Sequence, residues 1–159
     1  MTMAETFALT RTSDPAVLAH LEAVLASQSF SQAMGLGILW ATRGDCALTL
    51  PARPDLTQQD GFFHGGAVAA FVDVAGGYAA WSIAPPGHNV LTVEYKTNFL
   101  KPAVGRRLIG HGRVKRGGKS LIVTEIDIYG ETDAAGTTGA GLSLCATALQ
   151  TLMQLPPAA

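Results

Sequence analysis

Residues 64–81 read HGGAVAAFVDVAGGYAAW, and this stretch decides the fold of the chain. Its apolar composition and its length of about five helical turns predict one long buried helix. The helix begins with a histidine and two glycines, and Asp73 is the sole acid in residues 61–93. Because an unpaired carboxylate is costly to bury, Asp73 is a candidate reactive group. Asp73 also has two structural interpretations. It could cap a broken second half-helix, although VAGGYAAW is a poor helix start, or its carboxylate could be bound to a buried partner.

The composition predicts one domain with its own core. The chain has 159 residues, of which 48% are hydrophobic and 14% charged, so we expect some apolar surface to be buried by self-association. Segment 64–81 is a poor membrane span because Asp73 would cost roughly 2.5–3.5 kcal/mol at its centre. The first residues, MTMAETFALTRTSDP, lack the apolar core of a secretory signal. Cys46 and Cys145 form no disulfide framework or metal-ligand spacing, so we expect a cytoplasmic protein without a structural metal.

Capping and turn residues predict the elements before the buried helix. DPAVLAHLEAVLAS, residues 14–27, predicts an N-terminal helix because an aspartate cap is followed by proline at the first helical position. Residues 36–51 predict a hairpin around Gly44-Asp45, and residues 51–63 a turn-rich loop. The buried helix should stop before Pro85 and Pro86.

The period changes from helical to two after Asn89. Residues 90–99 predict a strand with one apolar face (Leu91, Val93, Tyr95, Phe99) and one polar face (Thr92, Glu94, Lys96, Asn98). Residues 106–118 and 120–130 predict two strands joined at Gly117-Gly118, with Ile122, Ile126 and Ile128 on one face. Residues 139–153 suit a helix or a strand, and we predict a strand that closes the meander. The chain is therefore predicted to be α+β, an antiparallel sheet covered by one helix.

The helix start and Asp73 suggest a shared site. Glycines at a helix N-terminus leave bare N–H groups that can polarise a carbonyl oxygen, although Gly65 and Gly66 could equally allow a tight turn with His64 as a cap. Asp73 lies eight residues after Gly65, a rise of about 12 Å, whereas reacting groups must approach within ~3–3.5 Å. One straight helix cannot do this, but two copies packed antiparallel across a two-fold axis can. The spacing predicts a site at a homodimer interface.

Positive charge is concentrated in one interval. Eight of the eleven Lys and Arg residues fall between Lys96 and Lys119 with no intervening acid, whereas residues 1–95 carry three cations and eight acids. Such an interval suits an anionic partner, or a solvated sheet face that balances acids elsewhere. Nucleic acid is disfavoured because few aromatic residues are interleaved and no nucleic-acid motif is present.

Several of these segments together carry a family resemblance. HGGAVAAFVD, LTVEYKTNFLKPA, GRVKRGGKS and IDIYG closely resemble the hotdog-fold acyl-CoA thioesterases of the phenylacetate-pathway (PaaI-like) group, over roughly residues 35–150. The resemblance implies an antiparallel sheet of about six strands wrapped round one long central helix, plus an N-terminal helix. It implies a helical extension over 1–34, a hotdog domain over 35–153 and a tail over 154–159. It also implies a homodimer, with dimers pairing into tetramers.

The resemblance assigns roles to individual residues. Gly65 would offer its N–H to the thioester carbonyl beside Gly66, His64 would shape the loop, and the Gln58 amide would assist at the carbonyl or the water. Asp73 matches the family's acidic catalyst and Thr92 a hydroxyl residue that orients it. Many members have asparagine in place of Gln58, and related enzymes have a hydroxyl residue where this chain has Gly77. Asp73 could attack the carbonyl to form an anhydride or activate water, and its short side chain favours water activation.

The basic interval then has a candidate ligand, the phosphates of coenzyme A. The cations assigned to them are Lys101, Arg113, Lys115, Arg116 and Lys119. The predicted function is hydrolysis of an acyl- or aryl-CoA thioester without a cofactor, and no nucleic-acid or membrane partner is expected. The alternatives are a non-catalytic acyl-CoA-binding protein and, less favoured, a hotdog dehydratase or hydratase, because that chemistry usually needs a histidine base.

Overall fold

A computed structural model describes residues 11–132 and 141–157. The predicted segments that fall at 1–10, 139–140 and 158–159 lie outside the described residues. The helices are α1 (Pro15–Ser27), α2 (Ser29–Met34) and α3 (Gly65–Trp81). The strands are β1 (Gly37–Thr42), β2 (Asp45–Pro51), β3 (Asn89–Phe99), β4 (Arg107–Gly117), β5 (Leu121–Thr132) and β6 (Gly141–Leu155), and a short 3-10 helix spans Pro54–Leu56.

All six strands form one antiparallel sheet in the order β1-β2-β4-β5-β6-β3. The sheet wraps round α3, which confirms the predicted α+β class and the hotdog arrangement of one long central helix with an N-terminal helix. The last segment is a strand, as predicted, because β6 pairs with both β5 and β3. In the described residues, no helix is long and apolar enough to cross a membrane.

Local sequence accounts for the two longer helices. Asp14 caps α1 by accepting hydrogen bonds from the Ala16 and Val17 N–H groups, and Pro15 follows at the first helical position. His64 caps α3 in the same way, since its Nδ1 accepts from the Gly66 N–H at 2.9 Å. These caps fix where the chain enters each helix.

Helix α3 packs unusually close to β4. A Cβ placed on Gly112 would lie 2.3 Å from the Ala75 carbonyl oxygen, which no side chain could accommodate. Phe71, Val72 and Ala75 of α3 are fully buried against the sheet. The predicted Ile122, Ile126 and Ile128 face is also fully buried. Glycine on β4 therefore lets the helix backbone sit directly on the sheet.

The predicted faces of the strand at 90–99 are partly wrong. Thr92 pairs with Leu152 and Tyr95 pairs with Gln150, and the register shifts between Thr92 and Glu94. This bulge adds Val93 to the strand, so Thr92 shares the helix-facing side with Tyr95 and Phe99 instead of opposing them. Strict alternation could not reveal this. The bulge turns the Thr92 hydroxyl toward α3.

Strand β3 is an edge of the sheet and carries exposed apolar side chains. Leu91, Val93 and Phe99 are 58%, 55% and 57% exposed. Unpaired strand edges with apolar side chains commonly mark association surfaces. We call this surface the β3 edge.

Candidate active site

Asp73 lies in the middle of α3 and reaches toward β3 and β6. Its Oδ1 accepts hydrogen bonds from the Thr92 hydroxyl at 2.6 Å and from Gln150 Nε2 at 2.7 Å. Its Oδ2 has no hydrogen-bond partner among the described residues. One carboxylate oxygen is therefore held in place, and the other makes no hydrogen bond to the described residues.

Gln150 was missed by the sequence analysis. It is fully buried on the inner face of β6, and Nε2 also lies 2.9 Å from Thr92 Oγ1 and 3.2 Å from the Asp73 carbonyl oxygen. The signal that could have revealed it is a glutamine at an inward position of an otherwise apolar alternation, LCATALQTL. A buried amide in that place needs polar partners.

A cavity of about 230 Å³ opens beside Asp73. We call it the Asp73 cavity, and its lining includes Thr92, Gly77, Gln28 and Tyr78. A Cβ added to Gly77 would meet no atom within 4 Å, so this glycine widens the space. Burial raises the pKa of Tyr78 to about 12, so its hydroxyl stays protonated at neutral pH and donates to Gln28 Oε1 at 3.2 Å. The remaining walls are apolar: Val74, Trp81, Val90, Leu91 and Leu152.

A second cavity, of about 410 Å³, lies at the N-terminal end of α3. We call it the Gly65 cavity; Gln58, Phe99 and Lys101 also line it. The cap formed by His64 uses the Gly66 N–H, whereas the Gly65 N–H has no hydrogen-bond partner among the described residues. The predicted roles of His64 and Gly65 are geometrically compatible with this arrangement, and Gly66 contributes to the cap.

Neither cysteine of the chain is suited to act as a nucleophile. Cys145 lines the Gly65 cavity, but burial raises the pKa of that thiol to about 11, and its Sγ donates to the Ile128 carbonyl oxygen at 3.2 Å. Burial also raises the pKa of Cys46. Both remain protonated thiols at neutral pH and are weak nucleophiles. Among the described residues, no cluster of three or more His, Cys, Asp or Glu side chains could hold a metal ion.

The predicted catalytic residues divide between the two cavities. Asp73 and Thr92 line one, and Gln58 and Gly65 line the other. Gly65 does not line the Asp73 cavity, and Asp73 does not line the Gly65 cavity. We call these two cavities half-sites, because the predicted catalytic residues are divided between them.

About half of the basic interval is neutralised by acids of β5. Arg113 binds Glu125 at 2.9 Å and Asp127 at 2.7 Å, and Lys115 also binds Glu125. Arg106 and Arg107 both bind Glu131. Of the predicted phosphate ligands, Lys101, Arg116 and Lys119 form no ion pair with the described residues.

Lys119 lines a third cavity, of about 550 Å³, at the far end of α3. Arg43 and His88 line it too, and we call it the basic cleft. Arg43 lies in the β1–β2 turn and was not singled out from the sequence, because nothing local links that turn to Lys119. Its place beside the β4–β5 hairpin is a consequence of the sheet order.

Comparison with known proteins identifies the family. A family model described as "Thioesterase superfamily" matches residues 60–137. The crystal structure of a thioesterase family protein from Silicibacter pomeroyi is 34% identical, with a TM-score of 0.81, and the match covers 88% of this chain and 98% of that one. The chain belongs to the thioesterase superfamily. Membership of this superfamily supports thioester hydrolase activity in general.

Two further proteins are similar to this chain. A curated protein of Halobacterium salinarum named "putative esterase" is 34% identical over 107 residues, which span 64% of this chain and 70% of the relative. The structure of the Escherichia coli PaaI protein has a TM-score of 0.74 at 18% identity and covers 89% of this chain and 94% of that one. At that identity the likeness shows the fold alone, so membership of the PaaI-like group stays a prediction.

Proposed function

We propose that this member of the thioesterase superfamily hydrolyses an acyl- or aryl-CoA thioester to the free acid and coenzyme A. The observation that carries the proposal is the Asp73 carboxylate: Oδ1 is held by Thr92 and Gln150, Oδ2 has no hydrogen-bond partner among the described residues, and Asp73 lines a cavity with largely apolar walls. A fixed carboxylate with one open oxygen suits a general base. The apolar walls suit an acyl or aryl group.

In the proposed reaction, Asp73 activates water. Its carboxylate takes a proton as the water oxygen bonds to the thioester carbonyl carbon, and the negative charge develops on the carbonyl oxygen. The carbon–sulfur bond then breaks and the coenzyme A thiolate leaves, after which the proton on Asp73 returns to the thiolate. Direct attack by Asp73 would instead form an anhydride, and the short side chain favours water activation.

The carbonyl oxygen needs a donor, and Gly65 does not line the Asp73 cavity of its own chain. The unpartnered Gly65 N–H at the start of α3 is such a donor, and the helix dipole adds partial positive charge. We propose that a second copy supplies it, with the two α3 helices antiparallel across a two-fold axis. The exposed apolar β3 edge supports self-association. Pairing of these dimers into a tetramer is a further prediction.

The free cations suit the nucleotide end of coenzyme A. Arg116 and Lys119 carry no carboxylate partner among the described residues, and Arg43 lies with Lys119 in the basic cleft. Charge-assisted contacts from such side chains hold phosphates well. Arg113 and Lys115 are already paired with β5 acids. We therefore propose that they contribute less to phosphate binding than the sequence predicts.

A free-thiol assay tests the function. The purified protein is mixed with a panel of acyl- and aryl-CoA esters, and coenzyme A release is ranked by kcat/KM. Release that requires Asp73 supports the hydrolase. Tight binding without release would favour an acyl-CoA-binding protein, and a change in enoyl-CoA absorbance without thiol release would favour a hydratase.

A further inference from the structure

We propose that Gln150 is a positioning residue that holds Oδ1 of Asp73 and so makes Oδ2 the reacting oxygen. The inference rests on the proposed function of Asp73. Gln150 Nε2 lies within hydrogen-bond distance of Asp73 Oδ1 (2.7 Å), Thr92 Oγ1 (2.9 Å) and the Asp73 carbonyl oxygen (3.2 Å). The side chain is fully buried, so water does not compete for these contacts.

Thr124 holds the opposite end of the Gln150 amide. Its hydroxyl, also fully buried, donates to Gln150 Oε1 at 3.3 Å. A flipped amide would place a carbonyl oxygen against the carboxylate and an NH₂ group against the hydroxyl of Thr124. The first of these contacts joins two acceptors and is unfavourable. The Asp73 carboxylate therefore selects the donor end of Gln150, and the Thr124 hydroxyl supplies a donor for the opposite Oε1.

Gly76 provides the space that the amide occupies. It lies in α3 nearly one turn after Asp73, and a Cβ added there would be 1.8 Å from Gln150 Oε1 and 2.8 Å from Thr124 Oγ1. No side chain larger than hydrogen fits without moving Gln150. Gly76 on α3, Thr124 on β5 and Gln150 on β6 therefore form one packed group next to Asp73.

The proposed reaction requires that the Asp73 carboxylate be held in one orientation. An aspartate held only by its backbone can rotate about its side-chain bonds and present either oxygen in several directions. Two donors on Oδ1 restrict that rotation, and a misplacement of about 1 Å can cost on the order of 100-fold in rate. The competing account is that Gln150 only satisfies buried polar groups, in which case its loss lowers stability without a specific effect on turnover.

The first test replaces Gln150 with methionine, which has a similar length but no donor. For Gln150→Met we expect kcat for coenzyme A release to fall on the order of 10- to 100-fold, with KM within about twofold because the residue lies behind Asp73 and outside the cavity lining. Thr151→Val is the matched control, since Thr151 is the next residue of β6 and bonds to Glu94 instead. It should leave both constants unchanged.

The second test acts through Thr124, which does not contact Asp73. Thr124→Val removes the hydroxyl at nearly constant volume and should lower kcat by a smaller factor, whereas Thr124→Ser should restore it. In the Gln150→Met background, Thr124→Val should have no further effect on kcat, because the amide to which Thr124 donates is gone. Gly76→Ala should lower kcat as well, by displacing the amide.

The outcomes separate this inference from the proposed function. If wild type releases coenzyme A and Asp73→Asn does not, but Gln150→Met keeps its kcat, the positioning role is wrong and the function stands. Additive losses of kcat for the Gln150 and Thr124 changes, accompanied by matching losses of melting temperature, would also overturn it. If Gln150→Met fails to fold, the Thr124 pair decides the question. No release by wild type would defeat both proposals.

Discussion

The two half-sites on α3 are opposites in their hydrogen bonding. In the Asp73 cavity, two donors converge on one carboxylate oxygen and leave the other open. In the Gly65 cavity, a backbone donor has no acceptor among the described residues. One cavity contains a carboxylate and the other a hydrogen-bond donor, so each lacks the group that the other has. This difference supports our proposal that a complete site combines one cavity from each of two chains.

The largest expected effect comes from removing the base. Asp73→Asn should lower kcat for coenzyme A release by ~10²–10⁴-fold, because the amide cannot accept a proton from water. Circular dichroism and the melting temperature should be nearly unchanged. Asp60→Asn is the matched control, since Asp60 is an exposed acid in the loop before α3. An Asp73→Asn protein with more than half of the wild-type kcat would show that Asp73 is not the base, and the proposed difference in function between the two cavities would then be wrong.

Mixed dimers test whether the two cavities act together. Gly65→Pro removes the free N–H donor, so each of the Asp73→Asn and Gly65→Pro homodimers should be nearly inactive. In a heterodimer, one site collects both lesions and the other has an intact Gly65 and an intact Asp73. Random mixing yields about half heterodimers with one good site of two, so about a quarter of wild-type activity should return.

This experiment needs its own controls. The Gly65→Pro chain must show a cooperative melt, and subunit exchange must be demonstrated with differently tagged chains. Mixing Asp73→Asn with Gln150→Met should restore little activity, because both changes affect the same half-site. Confirmed exchange without restored activity in the Gly65→Pro mixture would show that the site is not shared.

A smaller effect should come from the Gly65 cavity itself. Gln58 has no side-chain hydrogen bond to the described residues, so Gln58→Ala should leave the fold intact. Loss of one hydrogen bond at the carbonyl or the water should lower kcat/KM by about 10-fold. Gln59→Ala is the control, because Gln59 is exposed and bonds only to Asp60. Equal effects of the two changes would remove Gln58 from the site.

The cations outside both half-sites should have modest effects. Replacing Arg116 and Lys119 with alanine should raise KM for CoA esters by about 3- to 10-fold at low salt, and added salt should have the same effect on wild type. KM for a short thioester without the nucleotide should not change. A parallel rise for both substrates would show that these cations serve the structure and not the phosphates.

The smallest effect concerns the paired cations of the same interval. The hydrogen bond from Lys115, together with Arg113 and against the effect of burial, holds the pKa of Glu125 below its ordinary value of 4.5. Because the folded-state pKa is depressed, the stabilisation is present above that ordinary value and is lost as the pH falls through the folded-state pKa. Acidification below pH 4.5 should therefore lower the melting temperature of wild type slightly more than that of Glu125→Gln. Identical acid sensitivity of the two proteins would contradict this role.

The sequence by itself determined the central helix, the order of the elements and Asp73 as the group to test. These features are local: caps, prolines and periodicity act within a few residues, and a lone acid in an apolar helix stands out against its neighbours. The HGG start of α3 belongs to the same class, because a cap and its bare glycines are adjacent in the chain. The Gly65–Asp73 spacing alone also predicted that these two residues cannot act together within one chain, and they line different cavities.

Only the tertiary structure decided what surrounds Asp73. The bulge at Val93 turned Thr92 to the helix side, and Gln150 reaches Asp73 across 77 residues of sequence. The sequence also could not show which cations of the basic interval form ion pairs, because the acids that bind Arg113 lie on the neighbouring strand β5. Bulges and cross-strand partners depend on which strands pair and in which register, and that is set by packing of the whole sheet rather than by local residue preference.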